Sequence, residues 1–275
     1  MSGPFTSKQA TFDRFRAIPQ KLCGEWQYRV LGTGSRTLLL IPGGELVNDL
    51  GFEFALTMSE ERRVIYPAYP RASSIEQLAD GLEPVLDAEG VVQVTILGAS
   101  FGGAVAQVFV RRHRDRVSAL ILSNTGVPLQ RLAAPVRLTY WIAKAMPWKW
   151  MVTLLRKSML KAVNQSVVDR TFWIGYLDEL FSKRLTKADL LSNMLVQYAY
   201  HSQFRFTPED LERWNGRVLI AESDTDIIGP QRRELLRETY PAAKVHTFHS
   251  AGHAPMFSQP RLYLDVVKDF LDQES

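Results

Sequence analysis

The most constraining feature of this sequence is a segment of 21 residues, Gly90 to Val110, without a charged side chain. Its first part is rich in β-branched residues, its second part is rich in alanine, and Gly98-Ala99-Ser100-Phe101-Gly102 lies between them. An apolar stretch of about 20 residues is long enough to span a bilayer. The change of composition across a glycine-rich centre instead predicts a buried strand, a tight turn and a buried helix.

Short apolar runs alternate with segments of helical periodicity on both sides of this segment. Such alternation predicts an α/β fold, in which helices cover both faces of a mostly parallel central sheet. Pro67 is expected to stop the second strand, and Pro84 to end or kink the first helix. The predicted strands are 37–41, 63–66, 91–97, 119–122, 218–221 and 244–248. The predicted helices are 73–86, 102–112, 231–239 and 262–271.

The alternation is interrupted once, by residues with helical periodicity. We therefore expect a core formed by residues 1–126 and 207–275, with an inserted helical cap at 127–206. The cap segment has 12 Lys and Arg and 4 Asp and Glu, a net charge of +8 in a chain whose total is +4. Most of its tryptophans are expected to be buried in a small core of its own, and the alternative is that some line an apolar pocket. These tryptophans are Trp141, Trp148, Trp150 and Trp173.

The charge and the cysteine content limit which partners, cofactors and metal sites are expected. The basic cap would attract anionic ligands or a membrane surface, but a solvated face of amphipathic helices is the favoured interpretation. No motif supports nucleic-acid binding. Cys23 is the only cysteine, which excludes an internal disulfide and a cysteine metal site, and we expect neither a cofactor nor a metal. Residues 1–15 lack the apolar centre of a secretory signal, so the expected compartment is the cytoplasm.

Ser100 is the candidate nucleophile. A serine on a sharp strand-to-helix turn presents its hydroxyl at the carboxyl end of the strand, and small residues are needed at Gly98 and Gly102. Random arrangement would produce Gly-x-Ser-x-Gly roughly 0.07 times in a chain of this composition. The prediction therefore depends on the position of the motif between a predicted strand and a predicted helix. The alternative is a passive serine in a glycine-rich turn.

His253 is the candidate base. It lies in the loop beyond the last predicted strand, where sites form in such sheets. His249 directly follows that strand and is the second choice, whereas His246 lies within it. His113 belongs to a basic cluster expected at a solvated helix end, and His201 lies in the cap.

The candidate acid should follow another strand and precede the histidine. Strand 218–221 is followed by Glu222, Asp224 and Asp226. Asp224 is the alternative acid. Asp226 is favoured because the Asp224 side chain could instead form a hydrogen bond to the backbone of its own turn. The earlier strand ends in Asn124 and offers no carboxylate there.

Two backbone N–H groups are the expected donors to the oxyanion of acyl transfer. Phe101, which follows the nucleophile, supplies one of them. The second is expected from Gly44, in the turn Pro42-Gly43-Gly44 that closes an early strand.

With these motifs in order, the chain resembles the α/β-hydrolase superfamily over essentially its whole length. Residues 97–103 are similar to its nucleophile elbow, residues 218–226 to the segment ending in the triad aspartate, and residues 251–253 to the catalytic histidine segment. Pro42-Gly43-Gly44 occupies the His-Gly-x oxyanion position. Proline there removes a side chain that often orders this loop. The resemblance supports Asp226 as the acid and residues 127–206 as the variable cap.

The resemblance implies a serine hydrolase that cleaves a carboxylic ester with a small or medium apolar acyl or alcohol part. Haloalkane dehalogenases and epoxide hydrolases are excluded because they have aspartate at the position of Ser100. A thioesterase, an acyltransferase and a C–C bond hydrolase with the same triad remain alternatives. A fainter similarity to the maspardin-type branch keeps a binding or adaptor protein without turnover as the rival of another class.

Overall fold

A computed structural model describes residues 8–163 and 170–273 of the protein. Its strands are β1 Gln20–Cys23, β2 Trp26–Leu31, β3 Thr37–Ile41, β4 Arg63–Ala68, β5 Val94–Ala99, β6 Val117–Ser123, β7 Arg217–Ser223 and β8 Lys244–Phe248. They form an eight-stranded sheet in the order β1-β2-β4-β3-β5-β6-β7-β8. Strand β2 is antiparallel to β1 and β4, and all other neighbouring strands are parallel.

Helices connect these strands and cover the sheet. Four consecutive residues of β5, Val94 to Leu97, are buried, and successive strand residues point to opposite faces, so both faces are covered there. The predicted α/β fold is confirmed. The helices are α1 Lys8–Arg16, α2 Phe52–Met58, α3 Ile75–Ala88, α4 Phe101–Arg112, α5 Gln130–Ala145, α6 Trp148–Val163, α7 Arg170–Glu179, α8 Lys187–Gln203, α9 Pro230–Thr239, α10 Pro255–Ser258 and α11 Pro260–Asp272.

Pro67 does not stop its strand, and Pro84 does not end its helix. Strand β4 runs through Pro67 to Ala68, because Pro67 pairs with Tyr28 of β2 beyond the last residue pair between β4 and β3. A missing N–H is tolerated where a strand has lost its neighbour on one side. Helix α3 contains Pro84 and continues to Ala88. The uncharged segment 90–110 forms β5, the turn and α4, as predicted.

A helical insert, defined here as α5 to α8 with a π-helical turn at Leu180–Arg184, connects β6 to β7. The prediction that its tryptophans are buried was wrong for two of them. Trp173 is buried and Trp148 partly buried, but Trp141 is 54% exposed and Trp150 67% exposed. Across residues 8–163 and 170–273, no helix combines the length and the apolar character needed to cross a membrane.

A buried carboxylate joins the insert to the core. Asp49 accepts a hydrogen bond of 2.7 Å from the Tyr176 hydroxyl of α7, and its other oxygen lies 2.7 Å from Nη1 of Arg184 in the π-helical turn. Arg16 of α1 lies 3.9 Å from the same oxygen. Asp49 is 1% exposed, so its charge depends on these partners for compensation.

Replacing Asp49 with alanine should lower the free energy of unfolding by about 2 to 4 kcal/mol, because it leaves the half-buried Arg184 and the buried Tyr176 hydroxyl unpaired. Chemical denaturation measures this loss. The control is Asp178→Ala, which removes the exposed ion pair between Asp178 and Arg156 and should cost less than about 1 kcal/mol. Equal losses in the two variants would contradict the anchoring role of Asp49.

Candidate active site

Ser100 lies on a strained turn between β5 and α4. Its φ is 51° and its ψ is −114°, a backbone conformation that non-glycine residues rarely adopt. The turn is fixed on both sides, because the Ser100 N–H donates to the Ser123 carbonyl at 2.9 Å and the Thr125 hydroxyl donates to the Ser100 carbonyl at 2.7 Å. Strain of this kind persists only where the surroundings hold it, and it is concentrated at functional sites.

The glycines of the turn are required by close packing. A Cβ on Gly98 would lie 2.5 Å from the Gly102 carbonyl oxygen, and a Cβ on Gly102 would lie 2.3 Å from the Ile41 carbonyl oxygen. On Gly103 a Cβ would lie 2.5 Å from the Thr125 side chain. The start of α4 therefore packs directly on the end of β3 and on the chain leaving β6.

His253 and Asp226 meet Ser100 at the carboxyl edge of the sheet. Nε2 of His253 lies 2.9 Å from the Ser100 hydroxyl oxygen, and Nδ1 of His253 lies 2.6 Å from Oδ1 of Asp226. A carboxylate can only accept, so the proton between them is assigned to Nδ1, which leaves Nε2 to accept from the serine hydroxyl. The structure thus brings together the three residues that the sequence singled out as nucleophile, base and acid.

Asn124 orients the Asp226 carboxylate, and sequence reasoning did not identify this contact. Its side-chain amide donates to Oδ2 of Asp226 at 2.7 Å, and the Ile228 N–H donates to Oδ1 at 3.0 Å. Asn124 has a φ of 45°, and its N–H donates to the Ala221 carbonyl at 2.8 Å. The only available signal was its place at the carboxyl end of the strand next to β7.

The alternative acid, Asp224, bonds elsewhere. Its two oxygens lie 3.0 Å from Nδ1 of His249 and 2.7 Å from the Ser250 N–H, which donates to it. The hydrogen bond from Ser250 is the largest influence lowering the pKa of Asp224. The His249 side chain is 85% exposed, so Asp224 and His249 form a surface pair rather than part of the contact chain to Ser100.

The other three histidines contact groups other than Ser100 and Asp226. His113 lies at the end of α4 as predicted, but its ring is not solvated, since it is half-buried, 2.7 Å from Asp80 and 3.2 Å from Glu83. His246 packs against Phe248 at a ring-centroid distance of 4.5 Å. His201 is buried in the insert, where its Nδ1 accepts a hydrogen bond from the N–H of residue 129 at 3.1 Å.

Burial, with a smaller contribution from the charge of Arg232, lowers the pKa of His201 from 6.5 to about 4. The folded state therefore holds this ring neutral, and stability is complete above the unfolded pKa and lost as pH falls from 6.5 towards 4. We expect a fall of about 1 to 2 kcal/mol in the free energy of unfolding between pH 7 and pH 5 from this group. In His201→Asn that part of the pH dependence should disappear from denaturation curves, while His249→Asn should retain it. An unchanged pH dependence in His201→Asn would contradict the assignment.

The predicted oxyanion donors lie at the same edge. Phe101 is the first residue of α4, where a backbone N–H has no partner within the helix. Gly44 follows β3 in a turn whose Pro42 carbonyl accepts a hydrogen bond of 2.8 Å from Tyr69. The Tyr69 ring also contacts Phe101, at 5.3 Å between centroids, so one side chain fixes both donor segments.

Glu45 is a further acidic group at this turn that sequence reasoning did not identify. Its carboxyl accepts a hydrogen bond of 3.1 Å from the Gly43 N–H. Burial raises the pKa of Glu45, opposed by backbone hydrogen bonds and by the nearby His253. Within the described residues, His, Cys, Asp and Glu side chains form no cluster of three or more suited to a metal ion.

A model of the alpha/beta hydrolase family matches residues 30–266, most of the chain. The chain belongs to this family. Its curated relatives in the family include 2-hydroxymuconate semialdehyde hydrolase from Pseudomonas putida, 25% identical over 78% of each protein.

Solved structures of other alpha/beta hydrolases share the fold. A hydrolase from Pseudomonas aeruginosa PA01 superposes with a TM-score of 0.75 at 18% identity, covering 93% of this chain and 98% of that one. A thermophilic esterase from Thermogutta terrifontis superposes with a TM-score of 0.71 at 19% identity, covering 93% and 97%. At these low sequence identities, the similarity shows that this chain and the two solved structures share a fold.

Proposed function

We propose that this hydrolase cleaves carboxylic esters of small or medium apolar substrates, with Ser100 as nucleophile, His253 as base and Asp226 as acid. One observation carries the proposal: the unbroken chain of contacts from the Ser100 hydroxyl through both ring nitrogens of His253 to a buried Asp226. A serine hydroxyl is a weak nucleophile until a base of this kind accepts its proton. The fold shared with an esterase agrees with this reaction.

In the proposed mechanism, Nε2 of His253 takes the hydroxyl proton as the oxygen of Ser100 attacks the acyl carbonyl. Asp226 keeps the imidazole in the Nδ1–H tautomer and stabilises the imidazolium that forms. The backbone N–H groups of Gly44 and Phe101 bind the oxygen on which negative charge develops.

Collapse of the tetrahedral intermediate breaks the ester bond, and His253 returns the proton to the leaving alcohol. A water molecule then attacks the acyl group on Ser100, with His253 again taking the proton, and releases the acid and the free enzyme. In these steps the chain contributes the side chains of Ser100, His253 and Asp226 and the N–H groups of Gly44 and Phe101.

We further propose that residues 127–206 act as the cap that selects the substrate. Thr125, just before this segment, donates a hydrogen bond from its hydroxyl to the Ser100 carbonyl in the nucleophile turn. Tyr176 and Arg184 within the segment contact Asp49, five residues after Gly44 in the chain. The insert is therefore connected to both sides of the site, and its packing can control what reaches Ser100.

A C–C bond hydrolase is the second candidate, because a relative over most of the chain is named 2-hydroxymuconate semialdehyde hydrolase. A panel of p-nitrophenyl acetate, p-nitrophenyl butyrate, an acyl thioester and 2-hydroxymuconate semialdehyde separates the candidates. We expect the highest kcat/KM with an ester and a loss of about 10⁴-fold or more in Ser100→Ala. Faster cleavage of the semialdehyde would establish the second candidate, and binding of substrates without turnover would contradict both.

A further inference from the structure

The insert presents apolar side chains to solvent where α5 meets α6. We define the corner face as five of these side chains, each more than half exposed. They are Leu138 at 61%, Trp141 at 54%, Ile142 at 53%, Trp150 at 67% and Leu154 at 58%. Single exposed apolar residues are ordinary, but a group that includes two tryptophans on adjoining helices marks an interaction surface.

The corner face is built on two regular helical faces. On α5 the three residues follow the spacing i, i+3, i+4, and on α6 the two residues are four apart, so each set lies on one side of its helix. A link of only two residues, Met146 and Pro147, joins the helices. Nζ of Lys187 fixes the corner by donating to the carbonyls of Lys144 and Met146, both at 2.7 Å.

Basic side chains accompany this face. Arg137, Lys144, Lys149 and Lys157 are all exposed, and none of the four forms an ion pair with another residue in the described part of the chain. The ammonium of Lys144 lies 4.9 Å from the centre of the Trp141 ring. This combination leaves positive charge free to meet an external anionic group beside an exposed indole.

A groove of about 660 Å³ opens beside the same stretch of α6, between it and α7 with the π-helical turn. Val152, Leu177 and Phe181 line it, and Lys149 and Lys157 are among its other lining residues. An apolar lining with basic side chains matches a ligand that has hydrocarbon next to negative charge.

We propose that the corner face binds the surface of a membrane that contains anionic lipids. Tryptophan and lysine together are characteristic of helices that lie in the bilayer interface, where the ring is buried among head groups and the ammonium reaches phosphate. A second copy of this chain is the competing occupant. It would bring two unpaired basic surfaces into contact, whereas an anionic surface supplies the opposite charge.

The proposal does not depend on the reaction at Ser100, so it is tested by binding. The purified chain is sedimented with vesicles of phosphatidylcholine alone and of phosphatidylcholine mixed with phosphatidylglycerol, at low and high salt. The test variants are Trp141→Ser combined with Trp150→Ser, and Lys149→Glu combined with Lys157→Glu. The matched controls are Val92→Ser, at a position 78% exposed outside the insert, and Lys244→Glu on β8.

We expect binding to the anionic vesicles that weakens at high salt and falls at least about tenfold in both test variants, with the controls unchanged. Circular dichroism spectra and unfolding curves like those of the wild type show that each variant is folded. If a double variant is unfolded, its folded single substitutions are used in the same assay. Absence of binding to anionic vesicles, or binding unaffected by the test variants, would overturn the proposal. A lipid-free dimer that the same substitutions dissociate would assign the face to self-association instead.

Discussion

Replacing Ser100 with alanine is expected to lower kcat/KM for a p-nitrophenyl ester by about 10⁴- to 10⁶-fold. The variant loses the atom that forms the acyl-enzyme, while the N–H donors of the oxyanion site remain and support only the residual rate. The backbone of the turn should persist, because the N–H of residue 100 and its carbonyl keep their bonds to Ser123 and Thr125.

Ser250→Ala is the matched control for this substitution. Ser250 has a φ of 54°, close to the 51° of Ser100, and it lies in the loop before His253. Both variants therefore place alanine at a positive φ, but only one removes the proposed nucleophile. We expect Ser250→Ala to remain within about threefold of the wild type, since its hydroxyl has no part in the mechanism. Retention of a tenth or more of the turnover by Ser100→Ala would contradict the assignment.

Asp226→Asn is expected to lower kcat by about 10⁴-fold, because its amide would favour the wrong tautomer of His253. The substitution also places an amide next to the donating side chain of Asn124, which is 2.7 Å from the present carboxylate. Steady-state kinetics at a pH near neutrality measure the loss, and KM should change far less than kcat.

The matched control is Asp224→Asn, two residues earlier in the same loop. Because Asp224 bonds to the exposed His249 and to the Ser250 N–H, its amide variant should keep activity within about threefold of the wild type. The pair of variants therefore separates the two carboxylates that the sequence left open. A larger loss in Asp224→Asn than in Asp226→Asn would reverse the assignment.

The sequence predicts the central part of the molecule well because strong local constraints determine it. The uncharged segment around Ser100 combines β-branched residues, glycines at contact distance and an alanine-rich helix, and each of these constraints favours the same strand, turn and helix. Strands β6 and β7, which follow, are mostly buried, so their apolar runs are continuous and easy to recognise. Asp226 and His253 could be proposed as acid and base because each lies in a loop just beyond the carboxyl end of a predicted strand.

Other features depend on contacts between distant residues. Strands β1 and β2 were not predicted, since β1 is mostly exposed and lacks alternation, and the hairpin is stabilised by pairing with β4. Asn124 and Glu45 became part of the site only because the carboxyl ends of separate strands converge. The exposure of Trp141 and Trp150 was also beyond prediction, because helical periodicity identifies a face without showing what covers it.

The most direct test of the proposed nucleophile is reaction of the wild-type protein with a fluorophosphonate, followed by intact-mass and peptide mass spectrometry. We expect one adduct per chain, located on the peptide that contains Ser100 and absent from Ser100→Ala. Labelling of His253→Ala, which lacks the base, should be much slower. No adduct on the folded wild type, or an adduct at another residue, would contradict Ser100 as the nucleophile.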